Sequence, residues 1–258
     1  MKIHFIGTSS AKTSLKRFHS SIVIKEKDFT LLLDAGEAIT KALLHQYVYF
    51  NSINAILISH LHPDHSSGLP ALITQMHLDK REEPLFIYSS INNIEKLKDL
   101  LYQSYLFQSR LSFQINFVAF EEGISFSVDE KISLMGKRNT HLDKYILNDV
   151  NKQLSFESTS FLITFANHKI HYTADIGGID DLYLFKSELP TLLITEISHI
   201  SFEDVLIVAQ NPFPHKILLT HYSDEDKQNL DDFLQKLPEE LDDKIVLAED
   251  GLLLNLSS

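Results

Sequence analysis

Ser59-His60-Leu61-His62-Pro63-Asp64-His65 places three imidazoles and one carboxylate in six consecutive positions, directly after the apolar run Ala55-Ile56-Leu57-Ile58. Imidazole nitrogen and carboxylate oxygen are donors that Zn²⁺, Mn²⁺ and Fe²⁺ accept, and two such ions about 3.5–4 Å apart can share one hydroxide. The apolar run reads as a strand that empties into a ligand-bearing loop. His60 and His62 stand two apart, so on extended backbone they project to the same side. The turn starting at Pro63 then carries Asp64 and His65 toward a second ion. A single histidine is ordinarily a core or surface residue, but four ligand-type side chains behind a buried strand are metal-site chemistry.

Working outward, further ligand-type residues recur where other strand-like runs end. His141 lies in Arg138-Asn139-Thr140-His141-Leu142-Asp143, just past Ile132-Ser133-Leu134-Met135. Asp175 follows Lys169-Ile170-His171-Tyr172-Thr173-Ala174 and precedes Ile176-Gly177-Gly178, and His221 closes Lys216-Ile217-Leu218-Leu219-Thr220-His221. Ligands at the ends of several strands can converge on one edge of a sheet.

With these residues in place, the chain resembles the metallo-β-lactamase superfamily, and within it the ribonuclease Z branch. The resemblance covers nearly the whole chain. Ile3-His4-Phe5-Ile6-Gly7-Thr8-Ser9-Ser10 is similar to the family's opening strand and Gly-Thr turn, and Leu32-Leu33-Asp34-Ala35-Gly36-Glu37 to its Asp-x-Gly-Glu segment. The His-x-His-x-Asp-His motif is the specific signal. The resemblance implies an α/β fold, a four-layer αββα sandwich of the metallo-β-lactamase type. It also implies that His60, His62 and His141 hold one metal, that Asp64, His65 and His221 hold another, and that Asp175 bridges them. Asp34 would orient the histidine loop without ligating, although a strand-end turn residue is an equal reading from sequence alone.

Two departures from the ribonuclease Z pattern stand out. Where those proteins carry a His-Glu-Ala-Thr segment, this chain has Leu193-Ile194-Thr195-Glu196-Ile197-Ser198-His199. Thr195 replaces the first histidine and Glu196 is kept; His199, three residues on, either takes over the imidazole role or is a surface or packing histidine. The long Gly/Pro-rich basic insertion that forms the tRNA-gripping arm in ribonuclease Z has no counterpart here.

Composition points the same way. The 258 residues suit one domain, 1–258, since such sandwiches use about 200–250 residues. A formal net charge of −12 disfavours extensive phosphate-backbone contact, which rests on Lys and Arg releasing counterions. Lys12, Lys16 and Arg17 form a local basic group that more often marks a solvated loop face. Cysteine is absent, which excludes disulfides and thiolate ligation. Met1-Lys2-Ile3-His4 runs straight into a strand and no apolar run approaches bilayer-spanning length, so a cytoplasmic location and no membrane partner are expected.

Strands are expected at Ile3–Gly7, Ser21–Ile24, Phe29–Leu33, Ala55–Ser59, Leu85–Tyr88, Phe113–Val118, Val128–Met135, Ser158–Ala166, Lys169–Thr173, Thr191–Ile194 and Lys216–Thr220. Helices are expected at Glu37–His45, Leu69–Leu78, Ile91–Leu106, Phe202–Gln210 and Glu225–Lys236. The aromatic-rich stretch Leu97–Phe117 could wall a pocket or form a homodimer face, but an amphipathic helix packed on the sandwich is the preferred reading. Leu237–Asp243, rich in acid, reads as a solvated turn.

The function expected is a binuclear metal-dependent hydrolase using two divalent ions, Zn or alternatively Mn or Fe. Asp64 would accept a proton from the attacking water and His199 would protonate the leaving group. A small-molecule or nucleotide-type phosphodiester is the first substrate class. A tRNA 3′-processing endonuclease, a lactone or thioester hydrolase and a non-enzymatic binding protein are the alternatives.

Overall fold

The structure of the chain, a computed structural model, describes residues 1–256. The elements in chain order are β1 (Lys2–Gly7), β2 (Ser21–Glu26), β3 (Phe29–Leu33), α1 (Ile39–His45), β4 (Ala55–Leu57), α2 (Pro63–Ser66), α3 (Leu69–Leu78), β5 (Leu85–Ser89), α4 (Ile91–Gln103) and β6 (Ile115–Ala119). There follow β7 (Ser125–Ser127), β8 (Ile132–Arg138), β9 (Thr159–Phe165), β10 (His168–Tyr172), β11 (Leu192–Glu196), α5 (Phe202–Ala209), β12 (Lys216–Thr220), α6 (Asp226–Gln235), α7 (Glu239–Asp242), β13 (Ile245–Leu247) and β14 (Leu253–Asn255). The chain divides into two compact units, one of Met1–Glu121 with the stretch from Glu249 onward, the other of Glu122–Ala248.

The first unit carries a sheet in the order β14-β1-β2-β3-β4-β5-β6. Its first four strands pair antiparallel, and β3 through β6 pair parallel. Parallel strands lie inside, which is why Leu31-Leu32-Leu33 and Ala55-Ile56-Leu57 are continuous apolar runs with every residue buried. Helix α3 sends Leu69, Leu72, Ile73 and Met76 into the core with Leu32, Ile56 and Ile87. Helix α4 adds Leu97 and Leu101 to the same core, as its periodicity predicts, and leaves Tyr102 exposed, as is Tyr105 just beyond its end. It stops at Gln103 and not at Leu106, because Tyr105 takes a left-handed backbone (φ 60°) while Ser104 N–H closes on Leu100 O.

The second unit carries the order β13-β12-β11-β10-β9-β8-β7. Strands β10 to β13 are parallel, and β9 runs against both β10 and β8. Strand β8 therefore runs in the direction of β10, β11 and β12, and all four finish at one edge of the sheet. A capping box fixes the start of α5, with Ser201 Oγ accepting from Asp204 N–H and the Asp204 carboxylate accepting from Ser201 N–H. Val205 and Val208 of α5 and Leu230 of α6 cover Leu193, Ile217 and Leu219.

The strand expected at Val128–Met135 begins only at Ile132, as β8, because a turn at Asp129, whose carboxylate accepts from Lys131 N–H, precedes it; β7, on the other side of that turn, lies before the expected range. Strands β13 and β14 are three residues each, too short to show a period. The acidic stretch expected to be a solvated turn contains the single-turn helix α7, for which Pro238 supplies the start. Among the described residues no helix is long and apolar enough to cross a membrane.

Candidate metal-ligating residues

In the first unit β3 and β4 are parallel neighbours, so Asp34 and the His60–His65 loop leave the sheet at the same edge. Asp34 is fully buried and adopts a left-handed backbone (φ 59°), a conformation that aspartate tolerates better than most residues. Its Oδ1 accepts from Ser59 N–H (2.8 Å), and its Oδ2 accepts from Ser59 Oγ (2.9 Å) and from His65 Nδ1 (2.9 Å). Ser59 Oγ in turn lies 3.0 Å from His60 Nδ1. One carboxylate thus holds the Nδ1 protons of two histidines, directly for His65 and through Ser59 for His60, and leaves each Nε2 lone pair as the donor.

The His60 ring lies 4.7 Å from that of His62 and 4.2 Å from that of His65, centroid to centroid. His62 ends the extended segment and Pro63 opens α2, where the His62 carbonyl accepts from His65 N–H (3.0 Å) and Ser66 N–H (3.0 Å). That single turn puts Asp64 Oδ2 3.4 Å from His65 Nε2. Gly36 is required beside it: a Cβ there would stand 1.8 Å from the Asp64 carbonyl oxygen.

In the second unit His141, Asp175, Glu196 and His221 all emerge at the edge where β8, β10, β11 and β12 finish. Asp175 is buried, and its two oxygens face different imidazoles, Oδ2 lying 3.6 Å from His141 Nε2 and Oδ1 lying 3.3 Å from His221 Nε2. Left-handed residues steer both exits, Ala174 (φ 52°) before Asp175 and His221 itself (φ 56°).

The three imidazole–carboxylate separations, 3.3, 3.4 and 3.6 Å, are wider than the 2.7–2.9 Å of a charge-assisted hydrogen bond. Two donors each about 2.0–2.1 Å from one tetrahedral ion stand about 3.3 Å apart. Every donor is an imidazole nitrogen or a carboxylate oxygen, a set that suits Zn²⁺, Mn²⁺ or Fe²⁺.

His199 sits at the same edge, its ring 4.8 Å from that of His141 and 6.4 Å from that of His221. Buried Glu196 holds it: the carboxylate accepts from His199 N–H (2.9 Å) and lies 3.0 Å from His199 Nδ1. With its side chain 28% exposed, His199 is the accessible histidine among these neighbours. Thr195 is buried with its hydroxyl turned to Glu196 O, away from any imidazole role.

Sequence reasoning passed over four residues that arrange the candidate ligands. Ser59 relays Asp34 to His60; its place immediately before the motif was the available signal. Asn139 Oδ1 accepts from His141 N–H, and Ser198 Oγ donates to His221 O and lies 3.3 Å from His221 Nδ1. Asp181, in a 3-10 turn behind Gly177-Gly178, is buried against the loops of His141 and Asp175. Lys12, Lys16 and Arg17 lie in the loop after β1, where Arg17 turns its guanidinium back toward Thr8 O.

Comparison with known proteins bears on the fold and the family. A ribonuclease Z of Pyrococcus abyssi is 40% identical over 105 residues, which are 41% of this chain and 34% of that protein. The chain spans half or less of the length of the curated ribonuclease Z relatives it matches. The solved metallo-β-lactamase fold protein YhfI from Bacillus subtilis superposes with a TM-score of 0.75 at 20% identity, over 98% of each chain. Human tRNase Z, short form, gives 0.73 at 20% identity over the whole of both chains. The fold is therefore the αββα sandwich of the metallo-β-lactamase superfamily, and the chain is ribonuclease Z-like within it. More narrowly, residues 1–237 match the family described as anti-Pycsar protein Apyc1, and the chain belongs to that family.

Proposed function

We propose that the chain is a metal-dependent hydrolase that cleaves a small or nucleotide-type phosphodiester. His60, His62 and His141 would hold one divalent ion, Asp64, His65 and His221 a second, with Asp175 shared between them. The observation that carries this reading is Asp175, a buried carboxylate that presents one oxygen to His141 and the other to His221 at ligand-pair spacing. Zn²⁺ is the first choice of ion and Mn²⁺ or Fe²⁺ the alternatives. Two such ions, when bound, supply an acidified water and positive charge against the oxygens of the scissile group.

The remaining work falls to side chains of the chain itself. Asp64 accepts the proton of the attacking water. His199 donates a proton from Nε2 to the leaving oxygen, since Glu196 occupies its Nδ1 and fixes the ring. A phosphodiester suits a site with one acid and two cations, because attacking and leaving oxygens are stabilised on opposite sides of phosphorus. Similarity to ribonuclease Z also supports a reading as a tRNA 3′-processing endonuclease, against which stands the net charge of −12.

Elemental analysis of protein purified without chelators should give close to two transition-metal ions per chain. With Zn²⁺ or Mn²⁺, a panel of linear and cyclic nucleotide phosphodiesters, lactones and precursor tRNA should show turnover of small diesters, abolished in Asp175→Ala with circular dichroism unchanged. Metal content near zero with no uptake on reconstitution, or full turnover in Asp175→Ala, overturns the assignment. Preferred cleavage of precursor tRNA selects the second reading.

A further inference from the structure

Two ligand loops of the second unit meet on a residue with no donor role of its own. Asp181 is buried, and its carboxylate accepts from Thr140 N–H (3.1 Å), Thr140 Oγ1 (2.8 Å) and Gly177 N–H (2.8 Å). Thr140 immediately precedes His141, and Gly177 lies two residues after Asp175. The loops are in direct contact here, since a Cβ on Gly177 would stand 2.3 Å from Thr140 Oγ1. One further bond joins the strand ends before these loops, Asn139 Nδ2 donating to Thr173 O (3.3 Å), while His141 N–H donates to Asn139 Oδ1 and Ile176 N–H to Glu196 Oε1.

We propose that Asp181 is a positioning residue that fixes the distance between His141 and Asp175 by clamping their two loops to one carboxylate, and so sets the affinity for the metal those two residues share. The inference rests on the metal assignment proposed above. A buried carboxylate must find donors for its oxygens, and Asp181 finds them in both loops at once. If either loop drifts, the carboxylate loses part of its satisfaction, so the 3.6 Å separation of His141 Nε2 and Asp175 Oδ2 is held by the same bonds that keep Asp181 buried. Removing groups that orient metal ligands typically lowers metal affinity by about 10–100-fold.

The test measures Zn²⁺ affinity by competition with a chromogenic chelator, alongside the melting temperature of the metal-free protein. Asp181→Ala should bind one of its two Zn²⁺ ions, the one shared by His141 and Asp175, about 10–100-fold less tightly. Asp181→Asn, which keeps an acceptor oxygen facing both loops, should recover most of the affinity. Leu230→Ala, a core truncation on α6 distant in sequence from both loops, should lower the melting temperature and leave affinity unchanged. If Asp181→Ala does not fold, Thr140→Val removes one of the three donors and should give a smaller loss in the same direction. Unchanged affinity in Asp181→Ala or in Thr140→Val, or equal loss in Leu230→Ala, overturns the clamp. Absence of Zn²⁺ binding in the wild-type chain overturns the metal assignment instead.

Discussion

His171, on β10, is a buried histidine that no ligand role uses, and it makes the chain acid-sensitive in a calculable way. Its Nε2 has no hydrogen-bond partner among the described residues, and its ring stands edge-on to Phe185 with centroids 5.0 Å apart. Burial, reinforced by the Lys137 ammonium, pushes the imidazole down from 6.5 to about 3. The unfolded chain therefore takes up a proton at this position below pH 6.5 that the native chain refuses until about pH 3. Stability is complete above pH 6.5, declines as the pH falls through that window and levels off below it. Each unit of pH inside the window removes up to about 1.4 kcal/mol, so acidification to pH 5 costs about 2 kcal/mol through this group alone. Urea unfolding of the metal-free wild type and of His171→Leu at pH 7.5, 6.5 and 5 isolates the effect, because the remaining histidines are common to both. The leucine variant should gain about 2 kcal/mol on the wild type between pH 7.5 and pH 5. Parallel stability curves would refute the reasoning, since they require His171 to titrate equally in both states.

Two further outcomes follow from the ligand surroundings. His199→Ala should slow a diester with an alkoxide leaving group by about 10²–10⁴-fold and a nitrophenolate ester far less, because nitrophenolate leaves without a proton; equal losses in steady-state assays of the two would assign His199 to positioning. Gly36→Ala should destabilise the chain by about 1–3 kcal/mol and weaken metal binding together, because its Cβ meets the Asp64 carbonyl and must displace the turn that carries Asp64 and His65. Thermal melts and chelator competition check this, and a melt like that of the wild type would show that the turn yields without strain.

The parts of the fold legible in the sequence were those with a strong period or a dense chemical signal. Phe29–Leu33, Leu69–Leu78 and Lys216–Thr220 fall where the pattern puts them, since a buried parallel strand or an apolar helix stripe leaves little freedom. Three-residue strands such as Ile245–Leu247 carry too few residues to show alternation and form because a neighbour offers an edge. The ligand-type side chains were legible from their chemistry. The residues that aim them were not, because Ser59, Ser198 and Asp181 act through hydrogen bonds to backbone and ring nitrogens whose partners are set by how loops cross. Strand exits at Asp34, Ala174 and His221 are likewise hidden, since aspartate, alanine and histidine do not advertise a left-handed backbone as glycine does.

The pairing of β14 with β1 has a consequence for how the chain is made. Ile3 faces Leu254 across that ladder, and Met1 N–H₃⁺ donates to Leu256 O, so the outer strand of the first sheet is supplied from the opposite end of the sequence. During synthesis β1 is made well before β14, so its outer edge stays open until the intervening strands and helices have followed. An open strand edge is a template for pairing with other chains. Closing a ladder across so long an intervening sequence is also slow, because ordering must precede the contacts that reward it. Assembly of the first unit is thereby coupled to completion of the second, and truncation before β14 exchanges a three-residue edge strand for the six-residue edge of β1.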